Sequence, residues 1–191
     1  MPPRVGILGF QGCIEPHERM LSSLGAETVR VRTKEDLATV DRLILPGGES
    51  TTMLRFLKLY ELIPAIQEFA KTQPVWGICA GAILAAREVL TPSQESLNLI
   101  NISAHRNFYG SQLESFTTPL AVLGLTNPIS AQFIRAPLLN ALPPSEHFSS
   151  AEVLARLDQQ PVFFAQGKTW ACSFHVELGD DSSLHELFLT L

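Results

Sequence analysis

Segments typical of buried strands alternate with segments typical of helices through the first half of the sequence, and this order constrains the fold most. The apolar start "RVGILGF" precedes "EPHERMLSSLGAE", where apolar residues have helical spacing and Gly25 marks a stop. "ETVRVR" and "DRLILPGG" resemble strands, and the helical segment 50–72 is interrupted near Pro64. "PVWGIC" is a further buried strand, with "AGAILAAREVL" behind it. We therefore predict an open, mostly parallel sheet with helices on both faces.

From about residue 97 the pattern changes to short strand-like segments separated by Pro, Gly and Asn. These are "LNLINIS", "PLAVLGL", "SAQFIRAP", "AEVLARL", "PVFFAQ" and "TWACSFHVE". They predict partly antiparallel strands, and a final helix, "SSLHELFLTL", is expected to be capped by the Asp and Ser residues before it. The length of 191 residues and the 46% hydrophobic content fit a single α/β domain over residues 1–191, with three layers.

Charge and cysteine content exclude several classes of protein. A formal net charge of −5, with only 14 Lys and Arg, argues against nucleic acid as a partner. The N-terminus lacks the pattern of a signal peptide, and the apolar run around Cys79 is too short to cross a bilayer. We expect no membrane partner and a cytoplasmic protein. Cys13, Cys79 and Cys172 fit neither a disulfide framework nor a CxxC metal site, so we expect reduced thiols.

The segment "GICAG" places Cys79 between Gly77 and Gly81, directly after a predicted strand and before a predicted helix. This is the spacing of a nucleophile elbow, in which glycines permit a tight turn that exposes the nucleophile. Amide N–H groups at the start of the helix favour a thiolate and face a developing oxyanion. A buried cysteine in a seam of small residues is an equally good interpretation of this segment alone.

"SFHVE" supplies a base and a carboxylate for such a nucleophile. If "TWACSFHVE" is one strand, its period of two places His175 and Glu177 on the same face, where the carboxylate can orient the imidazole. The same parity places Cys172 on the opposite face, which argues against a Cys-x-x-His zinc half-site. A histidine bonded to backbone at the end of a strand is the commoner alternative for His175 alone.

The turn in "LILPGGESTTM" is the third element of the predicted site. A strand ends there at Pro46-Gly47-Gly48, and a helix with Ser and Thr caps is expected to follow. A plain strand-to-helix turn explains the three residues by themselves. Because the carboxyl ends of parallel strands lie at one edge of a sheet, the turn and Cys79 are expected to lie together.

These motifs together resemble one family. "VGILGFQG", "LILPGGESTTM", "GICAG", "RNFYGSQLESF", "FIRAP" and "CSFHVEL" resemble, in order and spacing, the glutaminase subunit of pyridoxal 5′-phosphate synthase, a triad-type (class I) glutamine amidotransferase. The resemblance extends over essentially the whole chain. It implies a flavodoxin-like, class I amidotransferase fold.

The resemblance implies a role for each matching residue. Cys79 would attack the side-chain amide of L-glutamine, His175 would act as base and acid, and Glu177 would orient His175. The oxyanion would be held by the amide of Ala80 and by one of the turn Gly47-Gly48. Residues of the family that contact glutamine match Gly47, Gly48, Glu49, Arg106, Ile134 and Arg135. Which arginine binds the carboxylate of the substrate stays open.

The resemblance also implies a partner, a (β/α)8-barrel synthase subunit that receives the ammonia, with Gln11 near the interface. It implies no cofactor and no metal. Two departures are notable, since the family usually has proline in place of Val176 and often alanine in place of Cys13. Two other functions stay open: a glutaminase for another amidotransferase pathway, and a catalytically silent protein that binds glutamine or a partner.

Overall fold

The computed structural model describes residues 2–106 and 115–191, and the bounds of the elements refer to these residues. Its strands are β1 (Arg4–Leu8), β2 (Glu27–Val31), β3 (Arg42–Leu45), β4 (Val75–Ile78), β5 (Ala86–Leu90), β6 (Ile100–His105), β7 (Phe116–Leu120), β8 (Ile129–Phe133), β9 (Leu138–Ala141), β10 (Glu152–Leu157), β11 (Gln160–Gln166) and β12 (Thr169–Cys172). Its helices are α1 (Ile14–Ser23), α2 (Lys34–Leu37), α3 (Ser50–Leu59), α4 (Ile63–Phe69), α5 (Ala80–Ala85) and α6 (Ser183–Leu189).

The main sheet has seven strands in the order β10-β11-β12-β4-β3-β1-β2. The pairs β12–β4, β4–β3, β3–β1 and β1–β2 are parallel, whereas β10–β11 and β11–β12 are antiparallel. The parallel strands come from the first half of the chain and from β12. The predicted open, mostly parallel sheet is therefore confirmed, and the antiparallel strands lie in the second half as expected.

Two apolar cores cover the two faces of this sheet. Along β1 and β3, successive side chains alternate between them: Ile7 and Ile44 belong to one core, and Leu8 and Leu45 to the other. Helices α1 and α6 contribute to the first core, and α3, α4 and α5 to the second. Helices on both faces make the three-layer arrangement that the sequence predicts.

Helix α1 ends where the sequence indicates. Gly25 has a φ of +76°, its N–H donates to the Ser22 carbonyl, and the Ala26 N–H donates to the Leu21 carbonyl. This pair of bonds is a Schellman motif, which requires a residue in the left-handed region and so favours glycine. The predicted stop at Gly25 is confirmed.

Three predictions of local structure are wrong. Helix α5 ends at Ala85, and "AREVL" forms strand β5 because it pairs in parallel with β6. The strand in "PLAVLGL" ends at Leu120, and a turn follows at 123–124. Strand β12 ends at Cys172, so "SFHVE" is not a continuation of that strand.

The final helix forms as predicted, and its capping agrees with the prediction in part. Helix α6 forms, and the Oδ1 of Asp181 accepts hydrogen bonds from the backbone N–H and the hydroxyl of Ser183. An aspartate thus caps the helix, whereas Ser182, the residue before the first turn, makes no capping bond with its side chain. Within the two described ranges, no helix is long and apolar enough to cross a membrane.

Candidate active site

Cys79 lies in a strained turn between β4 and α5. Its backbone has φ 51° and ψ −104°, a conformation that non-glycine residues rarely adopt and that is found where a side chain must be presented. A Cβ on Gly77 would lie 2.5 Å from the Gly81 carbonyl oxygen, and a Cβ on Gly81 would overlap the Leu45 carbonyl oxygen. The two glycines are therefore required by close backbone packing, and the turn is a nucleophile elbow.

Gly81→Ala is expected to lower the free energy of unfolding by about 3 kcal/mol or more, because the new methyl group meets backbone atoms of β3 that cannot move aside. Gly179→Ala is the control, since a Cβ there has its nearest neighbours at 3.8 Å. We expect that control to stay within about 0.5 kcal/mol of wild type. Urea unfolding measures both changes, and equal midpoints for the two variants would contradict this account of the elbow.

His175 and Glu177 are in direct contact although the strand predicted to align them does not form. The Nδ1–H of His175 donates to Glu177 Oε1 at 2.6 Å, and both side chains are buried. The backbone of His175 is held by two bonds to Gln132 of β8, with N–O distances of 2.8 and 2.9 Å. Pairing with β8, rather than the period of β12, therefore fixes the position of the histidine.

Val176 contributes a hydrogen bond that proline cannot make. Its backbone N–H donates to Glu177 Oε2 at 3.0 Å, while Oε1 accepts from His175. Both carboxylate oxygens are thus occupied. Valine in place of the usual proline leaves the base and its orienting group in contact and gives the carboxylate an extra donor.

The thiol of Cys13 lies within 4.8 Å of the His175 ring, and Cys79 lines the same cavity as that ring. Burial opposes charging of this ring, but hydrogen bonds with the two thiols and with Glu177 outweigh it and raise the pKa of His175 well above 6.5. Burial also opposes ionisation of Glu177, yet the nearby His17 and the bond from His175 lower the pKa of Glu177 to about 2. Glu177 is therefore a carboxylate that stabilises the protonated form of His175.

The turn at Gly47-Gly48 packs against both the base and Gln11. A Cβ on Gly47 would overlap Cε1 of His175, and one on Gly48 would lie 2.8 Å from Nε2 of Gln11. The same Nε2 donates to the Glu49 carbonyl at 3.0 Å. The predicted Ser and Thr caps are wrong, because Glu49 occupies the cap position of α3 and makes no capping bond with its side chain.

The three predicted elements meet at the carboxyl ends of β1, β3, β4 and β12, around a cavity of about 240 Å³. Residues lining it are Gln11, Cys13, Gly48, Glu49, Ser50, Cys79, Ala80, Ile83, Arg106, Ile134, Arg135, His175 and Leu178. Every predicted site residue lines this cavity except Gly47, which lies against the His175 ring, and Glu177, which lies behind it. Most of "RNFYGSQLESF", including Phe108, lies outside the described residues.

Opposite charges meet at the rim of the cavity. Nη2 of Arg135 lies 3.4 Å from Oε1 of Glu49, and both side chains are about half exposed, at 49% and 53%. Arg135 has a φ of 46°, and the carbonyl of Ile134 before it lies 3.9 Å from the Cys79 sulfur. The segment Ile134-Arg135 therefore places an arginine and a backbone acceptor beside the nucleophile.

Sequence reasoning missed three residues around this site, namely Cys13, His17 and His185. Cys13 faces His175, whereas His17 and His185 form a fully buried pair behind Glu177. A signal for His17 exists in the sequence, since it shares the apolar face of α1 with Ile14 and Leu21. A histidine on such a face either bonds another buried polar group or supports a site.

Ligand atoms of Cys13, His175 and Glu177 lie within 4.8 Å of one another, which is the spacing of a metal site. The 2.6 Å bond between His175 and Glu177 already occupies one nitrogen and one oxygen of this set. Cys172, the other thiol considered as a zinc ligand, accepts a hydrogen bond from Trp76 Nε1 and donates to the Phe174 carbonyl. These two atoms are the ones that join a base to its orienting carboxylate.

The two buried histidines make stability depend on pH. Burial lowers the pKa of His17 below 6.5 and lowers the pKa of His185 to about 3. The unfolded chain therefore binds more protons below pH 6.5, so the contribution of these residues is full above pH 6.5 and is lost as the pH falls. We expect urea unfolding free energies to fall between pH 6 and 5, by about 1.4 kcal/mol per unit from His185 and by a further amount in the same direction from His17. His185→Gln should reduce that slope, and a wild-type stability independent of pH in this range would contradict the prediction.

Comparisons with known proteins agree with this geometry. A sequence model of the SNO glutamine amidotransferase family matches residues 7–191. The pyridoxal 5′-phosphate synthase subunit PdxT of Kosmotoga olearia is 44% identical over 189 residues, covering 97% of this chain and 96% of the relative. PdxT of Deinococcus radiodurans is 43% identical, covering 98% and 96%.

Solved structures give the same result. A crystal structure described as a glutamine amidotransferase has a TM-score of 0.88 and 40% identity, covering 97% of each chain. The structure of PurLQS from Thermotoga maritima has a TM-score of 0.68 at 16% identity, covering 100% of this chain and 99% of the other, which indicates a shared fold.

Proposed function

The chain belongs to the SNO glutamine amidotransferase family, and on this premise we propose that it hydrolyses L-glutamine to L-glutamate and ammonia through a thioester on Cys79. The observation that carries the proposal is the strained Cys79 within reach of the His175–Glu177 pair, inside a cavity. A nucleophile, a base and a group that orients the base are the parts that acyl transfer needs.

The chemistry follows from these positions. The sulfur of Cys79 attacks the side-chain amide carbon, and His175 takes the thiol proton and delivers it to the departing nitrogen, which leaves as ammonia. Water then attacks the thioester with His175 as base, the bond to sulfur breaks, and glutamate is released. Glu177 keeps the Nδ1–H tautomer of His175 and stabilises the imidazolium in both steps.

Backbone amides are proposed to hold the oxyanion. Ala80 directly follows the nucleophile, and the Gly47-Gly48 turn lies across the cavity against His175. One such donor is worth about 3 kcal/mol of barrier. Since Gln11 packs on Gly48 and donates to the Glu49 carbonyl, movement of Gln11 would move this turn.

The rim of the cavity suits the α-amino acid part of glutamine. An amino acid presents an ammonium and a carboxylate together, and Glu49 beside Arg135 presents the complementary pair of charges. Arg106 and Ile134 also line the cavity. We propose that these residues, with Gly47 and Gly48, bind the substrate.

The names of the relatives support a partner. A subunit of pyridoxal 5′-phosphate synthase implies an acceptor for the ammonia, and we propose that this acceptor is the barrel subunit, with Gln11 near the interface. We further propose that residues 1–191 form one glutaminase domain that needs no cofactor or metal. A cytoplasmic location fits this chemistry, because the thiol must stay reduced.

Glutamate release from glutamine, measured with and without a pyridoxal phosphate synthase barrel subunit, tests the proposal. We expect release that rises when the barrel subunit is added. Release that is unchanged by the partner would favour a glutaminase of another amidotransferase pathway. No release in either condition, from a folded protein that binds glutamine, would identify a silent binding protein and overturn the proposal.

A further inference from the structure

A chain of buried histidines extends behind the His175–Glu177 pair. His17 of α1 and His185 of α6 are both 0% exposed, and His17 Nδ1 lies 2.9 Å from His185 Nε2. The other ring nitrogen of His17, Nε2, lies 3.8 Å from Glu177 Oε1, the oxygen that accepts from His175. Helices α1 and α6 thus place two more imidazole rings behind Glu177, the carboxylate that contacts the base.

The position of the protons on these rings follows from their neighbours. A ring nitrogen without a proton would point its lone pair at the Glu177 carboxylate, which is repulsive in a buried site. His17 Nε2 therefore carries a proton, and Nδ1 of the neutral ring becomes an acceptor. His185 Nε2 must then donate to His17 Nδ1, which fixes the tautomer of both rings.

The surroundings keep this pair neutral. The groups that face His17 are Glu177, His175 and His185, and the Trp76 ring packs on both buried histidines at centroid distances of 6.4 and 5.1 Å. Burial lowers the pKa of His17 more than the attraction of Glu177 raises it. A neutral donor supplies a dipole to the carboxylate without a competing charge.

We propose that His17 is a positioning residue for glutamine hydrolysis, holding Glu177 Oε1 toward His175 through the Nε2–H that His185 enforces. The inference rests on the proposed function. His17 does not line the cavity, so it acts through the Glu177–His175 pair. At 3.8 Å its N–H is beyond a direct hydrogen bond, so it stabilises the carboxylate as a nearby dipole.

Two amide substitutions at His17 distinguish a role as hydrogen donor toward Glu177 from a role in packing alone. The side-chain nitrogen of His17→Gln reaches the place of Nε2, toward Glu177, whereas that of His17→Asn reaches only the place of Nδ1, toward His185. We expect the Gln variant to keep kcat within about threefold of wild type. The Asn variant should lose about 10–100-fold in kcat with little change in KM, the usual effect of losing a supporting group.

The pH profile provides a readout that a packing defect would not change. Without that donor Glu177 is held less firmly toward His175 and stabilises its protonated form less well, so the limb of the kcat/KM profile that reports His175 should move to lower pH in His17→Asn but not in His17→Gln. Equal losses in both amide variants, or an unchanged profile in the Asn variant, would overturn the proposal. His17→Met, which fills the space without a donor, should match the Asn variant and replaces it if that variant does not fold.

A measurement on the wild-type protein needs no variant. Long-range ¹H–¹⁵N NMR of protein labelled in histidine reports the tautomer of each ring, and we expect His17 with its proton on Nε2. A proton on Nδ1 would overturn the proposal whatever the kinetics. If wild type releases no glutamate, the proposed function fails, while the tautomer still tests the arrangement around Glu177.

Discussion

Cys79→Ala protein is expected to release glutamate from glutamine about 10⁴-fold or more slowly than wild type, because Cys13, the other thiol lining the cavity, is not presented by a strained elbow. The fold should be retained, since the change removes a single sulfur at a site 8% exposed. Loss of activity would therefore be a loss of chemistry. Glutamate release under saturating glutamine, beside thermal unfolding, measures both quantities.

Cys13→Ala is the matched control for this variant. Cys13 is the other thiol that reaches the His175 ring from the same cavity, but it is the N-cap residue of α1, with a φ of −77°, and does not lie in a strained elbow. We expect it to retain turnover within about tenfold of wild type. If Cys79→Ala keeps normal turnover and Cys13→Ala loses it, the assignment of the nucleophile is wrong.

Glu177→Gln is expected to lower kcat by about 10²–10⁴-fold. The amide carries no negative charge to stabilise the imidazolium of His175. Its NH₂ group would donate a hydrogen bond to Nδ1 and so favour the tautomer with the proton on Nε2, which cannot accept the thiol proton. The same fault arises when the orienting carboxylate of a serine protease triad is replaced by an amide. The substitution keeps the size of the side chain, so KM for glutamine should change little. Steady-state kinetics of glutamate release measure kcat and KM separately and so test both expectations.

The control for that variant is Glu88→Gln on β5, which makes the same chemical change at an exposed position. It should leave kcat and KM unchanged. Activity of Glu177→Gln within a few-fold of wild type would show that the 2.6 Å contact with His175 does not support catalysis.

Much of the fold follows from periodicity in the sequence. Apolar runs such as those of β1, β3 and β4 are buried on both faces, and Gly25 ends α1, so these elements are predictable from local patterns. Strand β5 is not predictable from local patterns, because it forms only by pairing with β6, which lies further along the chain. Local helical periodicity in "AGAILAAREVL" continues past the true end of α5, and tertiary pairing overrides it.

The site likewise has features that local patterns predict and features that depend on packing. Cys79 and its glycines form a local motif, and the spacing of His175 and Glu177 was correct although the strand behind it was wrong. The bond from Val176 to Glu177 depends on a backbone bend after β12 that period-two reasoning excludes. His17 reaches Glu177 only through the packing of α1, which no local pattern specifies.

The most direct test of the central claim uses a glutamine analogue in which a chloromethyl ketone replaces the side-chain amide, followed by peptide mass spectrometry. We predict a single label, on the sulfur of Cys79, that forms in step with the loss of glutaminase activity and is prevented by glutamine. A label on Cys13, or inactivation without modification of Cys79, would contradict the account.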